Sequence, residues 1–174
     1  LDSSGKNLTL YAEPNPYPEI QTLVSTELAD PNVTHIITLG LGLGFLLAEI
    51  LHCKNEKARV LVLEPRLDVL CECFKHMDLS QLIDHDQVEF VFEADGTQAG
   101  VRMADKIRLA DTEFKGWRFI SMPHALQLYG AFSSEFVLKF GSRMNAQKVN
   151  LNTVHLLHAR SAGLQHGDRS KNCS

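Results

Sequence analysis

The sequence predicts an α/β fold, in which a mostly parallel sheet is covered by helices on both faces. Four short apolar segments alternate with segments of helical periodicity, which is the pattern of repeated strand–helix units. The apolar segments are nearly continuous, as expected for strands buried on both faces. The chain has 174 residues, 44% hydrophobic and 22% charged. These values are typical of one globular domain.

The predicted elements follow one another in a regular order. After a first helix at 19–29, β-branched and aromatic residues run together in four predicted strands, at 35–39, 59–63, 88–92 and 117–122. Each strand is followed by apolar residues at helical spacing, which predict a helix. The four predicted helices lie at 45–53, at 67–77, from Met103 to about Ala110, and from Tyr129 to Phe140. Four such units imply parallel pairing through right-handed crossovers.

The chain divides into three predicted regions. Residues 1–18 are polar and broken by prolines, so we expect an extended arm, in which Leu8–Tyr11 could add a short edge strand. Residues 19–145 form the α/β domain. Residues 146–174 are expected to form a helical connection and a polar tail, disordered after about Ala162. Because residue 1 is not Met, we expect the chain to be part of a longer protein.

Charge and hydropathy argue against several classes of partner. The net charge is −4 and the pI is about 6.1, so we expect neither nucleic acid nor a membrane as a partner. The longest apolar runs fall short of the roughly 20 residues that a membrane span needs, and the polar start lacks a signal-peptide core. We therefore expect a cytoplasmic protein with reduced cysteines and a small-molecule or protein partner.

The turn after the first strand is the first candidate for ligand binding. Gly40, Gly42 and Gly44 alternate with leucines there, just before the second predicted helix. Missing side chains permit a tight turn and a close approach of the backbone to a ligand, at the positive end of a helix. The spacing is G-x-G-x-G rather than the dinucleotide pattern G-x-G-x-x-G, and no P-loop sequence occurs. A packing turn without a ligand is the alternative.

Acidic residues end the second and third strands. Glu64 follows the glycine turn by about 20 residues, where a carboxylate can accept two ribose hydroxyls; the alternative is a solvated carboxylate before Pro65. Asp95 could meet an adenine amino group, although Asp-Gly is equally a common turn pair. The predicted ligand-binding residues are Gly40, Gly42, Gly44, Glu64 and Asp95.

Histidines offer weaker signals. His124 follows the fourth strand, where a general base would face a substrate, but a structural histidine is the simpler interpretation. His155 and His158 can share a helical face without a third ligand beside them, so no metal is expected. No Asn-Pro-Pro-Tyr or Asp-Pro-Pro-Tyr run supports amino-methylating chemistry, and no catalytic residue is nominated.

The glycine turn, Glu64 and Asp95 together resemble the class I S-adenosylmethionine-dependent methyltransferases over about residues 33–125. The resemblance implies a Rossmann-like (methyltransferase-like) three-layer fold. It also implies that the glycine loop binds the methionine part of S-adenosylmethionine. The acid after strand two, Glu64, would then hydrogen-bond the two ribose hydroxyls, and the acid after strand three, Asp95, would contact the adenine. The chain departs from the family at strand four, and the usual antiparallel end hairpin is not evident.

A narrower resemblance extends over about residues 14–140. The phrases at 17–19, 37–45 and 62–65, and the stretch 67–82, are similar to the N-terminal Rossmann-like domain of the motility accessory factor (Maf-type) glycosyltransferases. That family adds a separate sugar-transferring domain and modifies flagellin with nonulosonic acids. Here Phe45-Leu46 replaces the Tyr-His that the family often has. The resemblance implies a further C-terminal domain and flagellin as a protein partner.

Three functional hypotheses follow. The favoured one is a Rossmann-like module that binds a nucleotide or S-adenosylmethionine as the N-terminal part of a Maf-like protein in flagellin glycosylation. A methyltransferase is the first alternative, and a non-catalytic structural or interaction domain is the second. Enzymatic activity stays open; an enzyme of this kind would be a transferase, either a methyltransferase or part of a glycosyltransferase.

Overall fold

The computed structural model describes residues 15–107 and 115–167, with side chains described as far as residue 150. Helices and strands alternate along most of the chain, as the sequence predicts. In chain order the elements are α1 (Tyr17–Glu27), β1 (His35–Leu39), α2 (Phe45–Cys53), β2 (Arg59–Glu64), α3 (Leu67–His76), α4 (Ser80–Ile83), β3 (Val88–Phe92), α5 (Gly96–Lys106), β4 (Trp117–Ile120), α6 (Pro123–Leu128) and α7 (Gly130–Gly167).

The four strands form one parallel sheet in the order β3-β2-β1-β4. β1 is buried along its whole length, and β2 is buried at every residue but the first. β3 and β4 lie at the two edges and expose more of their side chains. The continuous apolar sequences of the inner strands are explained by this burial on both faces. The predicted α/β class with a parallel sheet is confirmed.

Helices cover both faces of the sheet and complete three layers. One face packs against α1, α2 and α3, in a core that includes Ile20, Leu47 and Ile50. The other face packs against α5, α6 and α7, in a core that includes Met103 and Phe136. The burial of apolar side chains in these two cores is the main force that holds the layers together.

The helices α5 and α7 approach each other closely at two glycines of α5. A Cβ atom at Gly96 would lie 2.4 Å from the carbonyl oxygen of Phe132, and one at Gly100 would lie 2.8 Å from the backbone nitrogen of Phe140. Both distances are too short for real carbon contacts, so only glycine allows this packing. The pair of glycines therefore determines how closely α7 packs against α5.

The region after β4 differs from the prediction in its detail. The helix predicted from Tyr129 to Phe140 lies in α7 except for Tyr129 itself, and the short helix α6 before it was not predicted. β4 ends at Ile120 rather than at 122, because its pairing with β1 ends at Thr38 and Ile120. Pro123 then begins α6. The short helix α4 was not predicted at all.

The ends of the chain were predicted to be extended or disordered. α7 runs to Gly167, so the helix continues past Ala162, where the polar tail was expected to begin. Residues 168–174, like the predicted strand Leu8–Tyr11, lie outside the described residues. Within the described ranges, no helix combines the length and the apolar character needed to cross a bilayer.

Candidate functional site

The sheet has one topological switch point, between β1 and β4. The chain proceeds from β1 outward to β2 and β3, and then returns to the other side of β1 as β4. In open α/β sheets, ligands bind outside the carboxyl ends of the strands at this point. A small cavity of about 50 Å³ lies there. Its walls come from the glycine turn after β1, from α3, and from the segment Met122–Tyr129 that follows β4.

The glycine turn has a backbone conformation that other residues rarely adopt. Gly40, Gly42 and Gly44 have φ angles of +78°, +53° and +83°, and no other described residue has a positive φ. The N–H of Gly40 donates to the carbonyl of Leu63 at 2.8 Å, which ties the turn to β2. A Cβ atom at Gly44 would also lie 2.8 Å from a methyl group of Leu79. Conformation and packing together require glycine in this turn.

Glu64 lies directly behind the glycine turn and is only 1% exposed. Its Oε2 accepts the backbone N–H of Leu41 at 2.9 Å, and its Oε1 accepts the backbone N–H of Arg66 at 3.0 Å. The phenol hydroxyl of Tyr129 donates to the same Oε1 at 2.8 Å. The alternative interpretation of Glu64 as a solvated carboxylate is therefore wrong. Its side chain joins the turn, the end of β2 and the end of α6.

Tyr129 is the residue of the crevice that the sequence did not nominate. It is 6% exposed, and its ring lies over the turn, where a Cβ atom at Gly40 would be 3.3 Å from the ring edge. Burial, with the neighbouring Glu64 carboxylate, raises the pKa of the Tyr129 phenol. The hydroxyl therefore stays protonated and acts as a donor. In the sequence it is one of several aromatic residues at helical spacing, and no signal links it to Glu64.

Asp95 lies apart from the crevice. It is exposed and forms the N-cap of α5, where its carboxylate accepts the backbone N–H of Gln98 at 2.9 Å. It follows β3, which is one strand further from the switch point than β2. Asp95 therefore caps a helix, a role that neither interpretation of the sequence described, and a contact with adenine stays a prediction.

Two further titratable side chains line the crevice. His124 is half-buried in the first turn of α6, and burial lowers its pKa, although the carboxylate of Glu19 acts in the opposite direction. The Cys73 thiol donates to the carbonyl of Gly42, and burial raises its pKa. Both groups are therefore held in their neutral forms. The rest of the lining is mainly apolar, so the arrangement is suited to holding a ligand more than to proton transfer.

Metal ligands are not assembled in the part of the chain that the structure describes. No group of three His, Cys, Asp or Glu side chains comes together there. His155, His158 and His166 lie beyond the residues whose side chains are described.

The fold and the site together define a Rossmann-like α/β domain with a crevice at its switch point. No protein-family model matches the chain. No curated protein matches it either. The function must therefore be argued from the crevice itself.

Proposed function

We propose that this domain binds a ligand that contains a nucleoside, either a nucleotide or S-adenosylmethionine, in the crevice between β1 and β4. The glycine turn would lie against the ligand, and Glu64 would accept hydroxyl groups of its ribose. One observation carries the proposal: the buried carboxylate of Glu64 lies behind the turn and accepts a hydroxyl group, that of Tyr129, on Oε1.

The burial of Glu64 supports a binding role. Moving a carboxylate out of water costs several kcal/mol unless hydrogen bonds or a paired charge compensate. Glu64 is nevertheless held at the switch point by the backbone N–H groups of Leu41 and Arg66. A carboxylate fixed at this place by two rigid donors is oriented to receive hydroxyl donors from a ligand.

The ligand class follows from the two resemblances of the sequence. Similarity to the methyltransferases favours S-adenosylmethionine, whereas similarity to the Maf-type glycosyltransferases favours a cytidine nucleotide or its sugar derivative. The longer run of matching phrases favours the second, as the N-terminal module of a Maf-like protein that acts in flagellin glycosylation. On that proposal, the transferase chemistry belongs to another domain, and the protein works in the cytoplasm.

A structural or interaction module is the second candidate, and two observations favour it. The cavity of about 50 Å³ is far below the roughly 300–1,000 Å³ of ligand pockets. Glu64 already has three hydrogen-bond donors within the chain. On this alternative, Tyr129 fills the crevice permanently, and Glu64 has a structural role in which its hydrogen bonds hold the surrounding segments together.

A thermal-shift panel tests the proposal, with S-adenosylmethionine, S-adenosylhomocysteine, CMP, a CMP-sugar, ATP and NAD. A ligand at about 100 times its Kd stabilises the folded state by roughly 2.7 kcal/mol. Stabilisation by the adenosyl compounds alone would favour the methyltransferase, and stabilisation by the cytidine compounds would favour the Maf-like role. No response to any member would leave the structural module as the better account.

A pair of variants localises any binding that the panel detects. Glu64→Gln removes the carboxylate charge and one acceptor oxygen, so we expect the affinity to fall about tenfold to a hundredfold. The matched control is Glu89→Gln, which changes an exposed carboxylate on β3 that pairs with Lys106. Equal affinities in both variants, measured by calorimetry on folded protein, would place the ligand elsewhere.

A further inference from the structure

The contact between Tyr129 and Glu64 closes the crevice from within the chain. The hydroxyl of Tyr129 lies 2.8 Å from Oε1 of Glu64, and both residues are buried. The ring covers Gly40, at the turn where a ligand would approach the backbone. Any ligand that reaches Glu64 from the crevice must therefore meet the phenol first.

The carboxylate of Glu64 accepts fewer hydrogen bonds than its two oxygens allow. A carboxylate offers about four acceptor sites, two on each oxygen. Leu41 occupies one site on Oε2, while Arg66 and Tyr129 occupy both sites on Oε1. If Tyr129 moves away, one site becomes free on Oε1 and one remains on Oε2. One free acceptor on each oxygen is the arrangement that two neighbouring hydroxyls of a ribose require.

Of the three donors, Tyr129 is the one that can move. Leu41 and Arg66 donate from the backbone, next to the strands β1 and β2. Tyr129 donates from a side chain at the end of α6, and Gly130 begins α7 immediately after it. The phenol can leave Oε1 by rotation about the side-chain bonds of Tyr129. The backbone then keeps its hydrogen bonds, from the N–H of Tyr129 to the carbonyl of Ala125 and from the N–H of Ser133 to the carbonyl of Tyr129.

We infer that Tyr129 is an internal competitor for the ligand. Its phenol occupies the Oε1 acceptor site that one ribose hydroxyl needs, and its ring fills the space that the nucleoside needs. A ligand with two neighbouring hydroxyls displaces it, whereas a 2′-deoxy ligand recovers one hydrogen bond fewer. This inference rests on the proposed function, because it concerns how the same crevice is regulated and selects its ligand.

The test compares Tyr129→Phe with the wild-type chain, using adenosine and CMP and the 2′-deoxy counterpart of each. The substitution keeps the ring and removes the competing hydroxyl, so we expect the ribose ligand to bind about tenfold more tightly. In both proteins, the 2′-deoxy ligand should bind about tenfold more weakly than its ribose counterpart. Tyr17→Phe is the control, because Tyr17 is a half-exposed tyrosine on α1 that packs on Phe45, outside the crevice.

The outcomes separate this inference from the proposed function. Tighter binding by Tyr129→Phe alone, including binding that the wild type lacks, supports the inference. Equal or weaker binding by Tyr129→Phe, with the wild type still binding, overturns the inference and leaves the proposed function intact. Absence of binding in both proteins overturns both.

A second measurement needs no variant that has to fold. Incorporation of 3-fluorotyrosine labels all three tyrosines of the chain for ¹⁹F NMR. Titration with adenosine or CMP should move the resonance of Tyr129 from a buried to a solvated environment. The Tyr17 resonance should stay in place. A Tyr129 resonance that does not respond to bound ligand would overturn the inference.

Discussion

The carboxyl ends of β2 and β3 are neighbours in the sheet, yet their acidic residues have different surroundings. At the end of β2, Glu64 is buried and accepts hydrogen bonds from three separate segments of the chain. At the end of β3, Asp95 is exposed and caps the helix that begins beside it. The junction between a strand and the next helix therefore contributes to a crevice in one case and to a helix start in the other.

The difference follows from the distance of each strand from the switch point. β2 pairs with β1, so its end meets the glycine turn and the segment after β4. β3 pairs only with β2 among the described strands, and its end is occupied by the packing of α5 on α7 at Gly96. Topology thus selects which of two similar acidic residues can take part in a site.

Removal of Glu64 should have the largest effect on stability. Glu64→Ala leaves the N–H groups of Leu41 and Arg66 and the hydroxyl of Tyr129 without their acceptor, in a buried place. We expect a loss of about 3 kcal/mol or more in the free energy of unfolding, measured by urea denaturation. Glu89→Ala, at the exposed ion pair with Lys106, should lose less than about 1 kcal/mol. Similar losses in the two variants would mean that the Glu64 network contributes no special stability.

A methyl group at Gly96 should have the next largest effect. Gly96→Ala places a Cβ atom 2.4 Å from the carbonyl oxygen of Phe132, so α5 and α7 must separate at a cost of about 2 kcal/mol. The control is Gly141→Ala, where nothing lies within 4 Å. In a helix interior that change should stabilise by up to about 1 kcal/mol. A neutral Gly96→Ala would show that the end of β3 tolerates looser packing than the distances imply.

Substitution of Asp95 should have the smallest effect on stability, and it tests whether the end of β3 takes part in the site. Asp95→Ala removes the N-cap of α5 and should cost about 1 kcal/mol in thermal unfolding. Asp95→Asn keeps a capping side chain and should be nearly neutral. Unchanged ligand affinity in Asp95→Asn would confine the site to the end of β2. Weaker binding would restore the predicted contact between Asp95 and the ligand.

Much of the fold could be predicted because each strand carries its own signal. The runs 35–39 and 59–63 are continuous and apolar, which is the signature of strands buried on both faces, and both form the centre of the sheet. The glycine turn and Glu64 could also be nominated from the rule that parallel strands end at one edge. The structure brings these two features together through the Leu41 amide.

The part of the crevice that depends on long-range contact could not be predicted. Tyr129 and Glu64 are 65 residues apart in sequence, and helical periodicity describes a buried tyrosine in the same way as a core phenylalanine. The helix α6 was missed because its six residues are too few to show helical periodicity. Single-sequence patterns record which face of a helix is apolar, and they do not record which polar group that face meets.

The order of the strands has a consequence for how the protein folds. β1 reaches β2 across a single helix, whereas the contact between Thr34 and Gly116, at the start of its pairing with β4, joins residues 82 positions apart. Long-range closure costs more chain entropy and forms more slowly. We expect β1, β2 and β3 to assemble first and β4, with α6 and Tyr129, to dock last. Opening of the crevice is then a partial reversal of the final folding step, and amide hydrogens of α6 should exchange before those of β1.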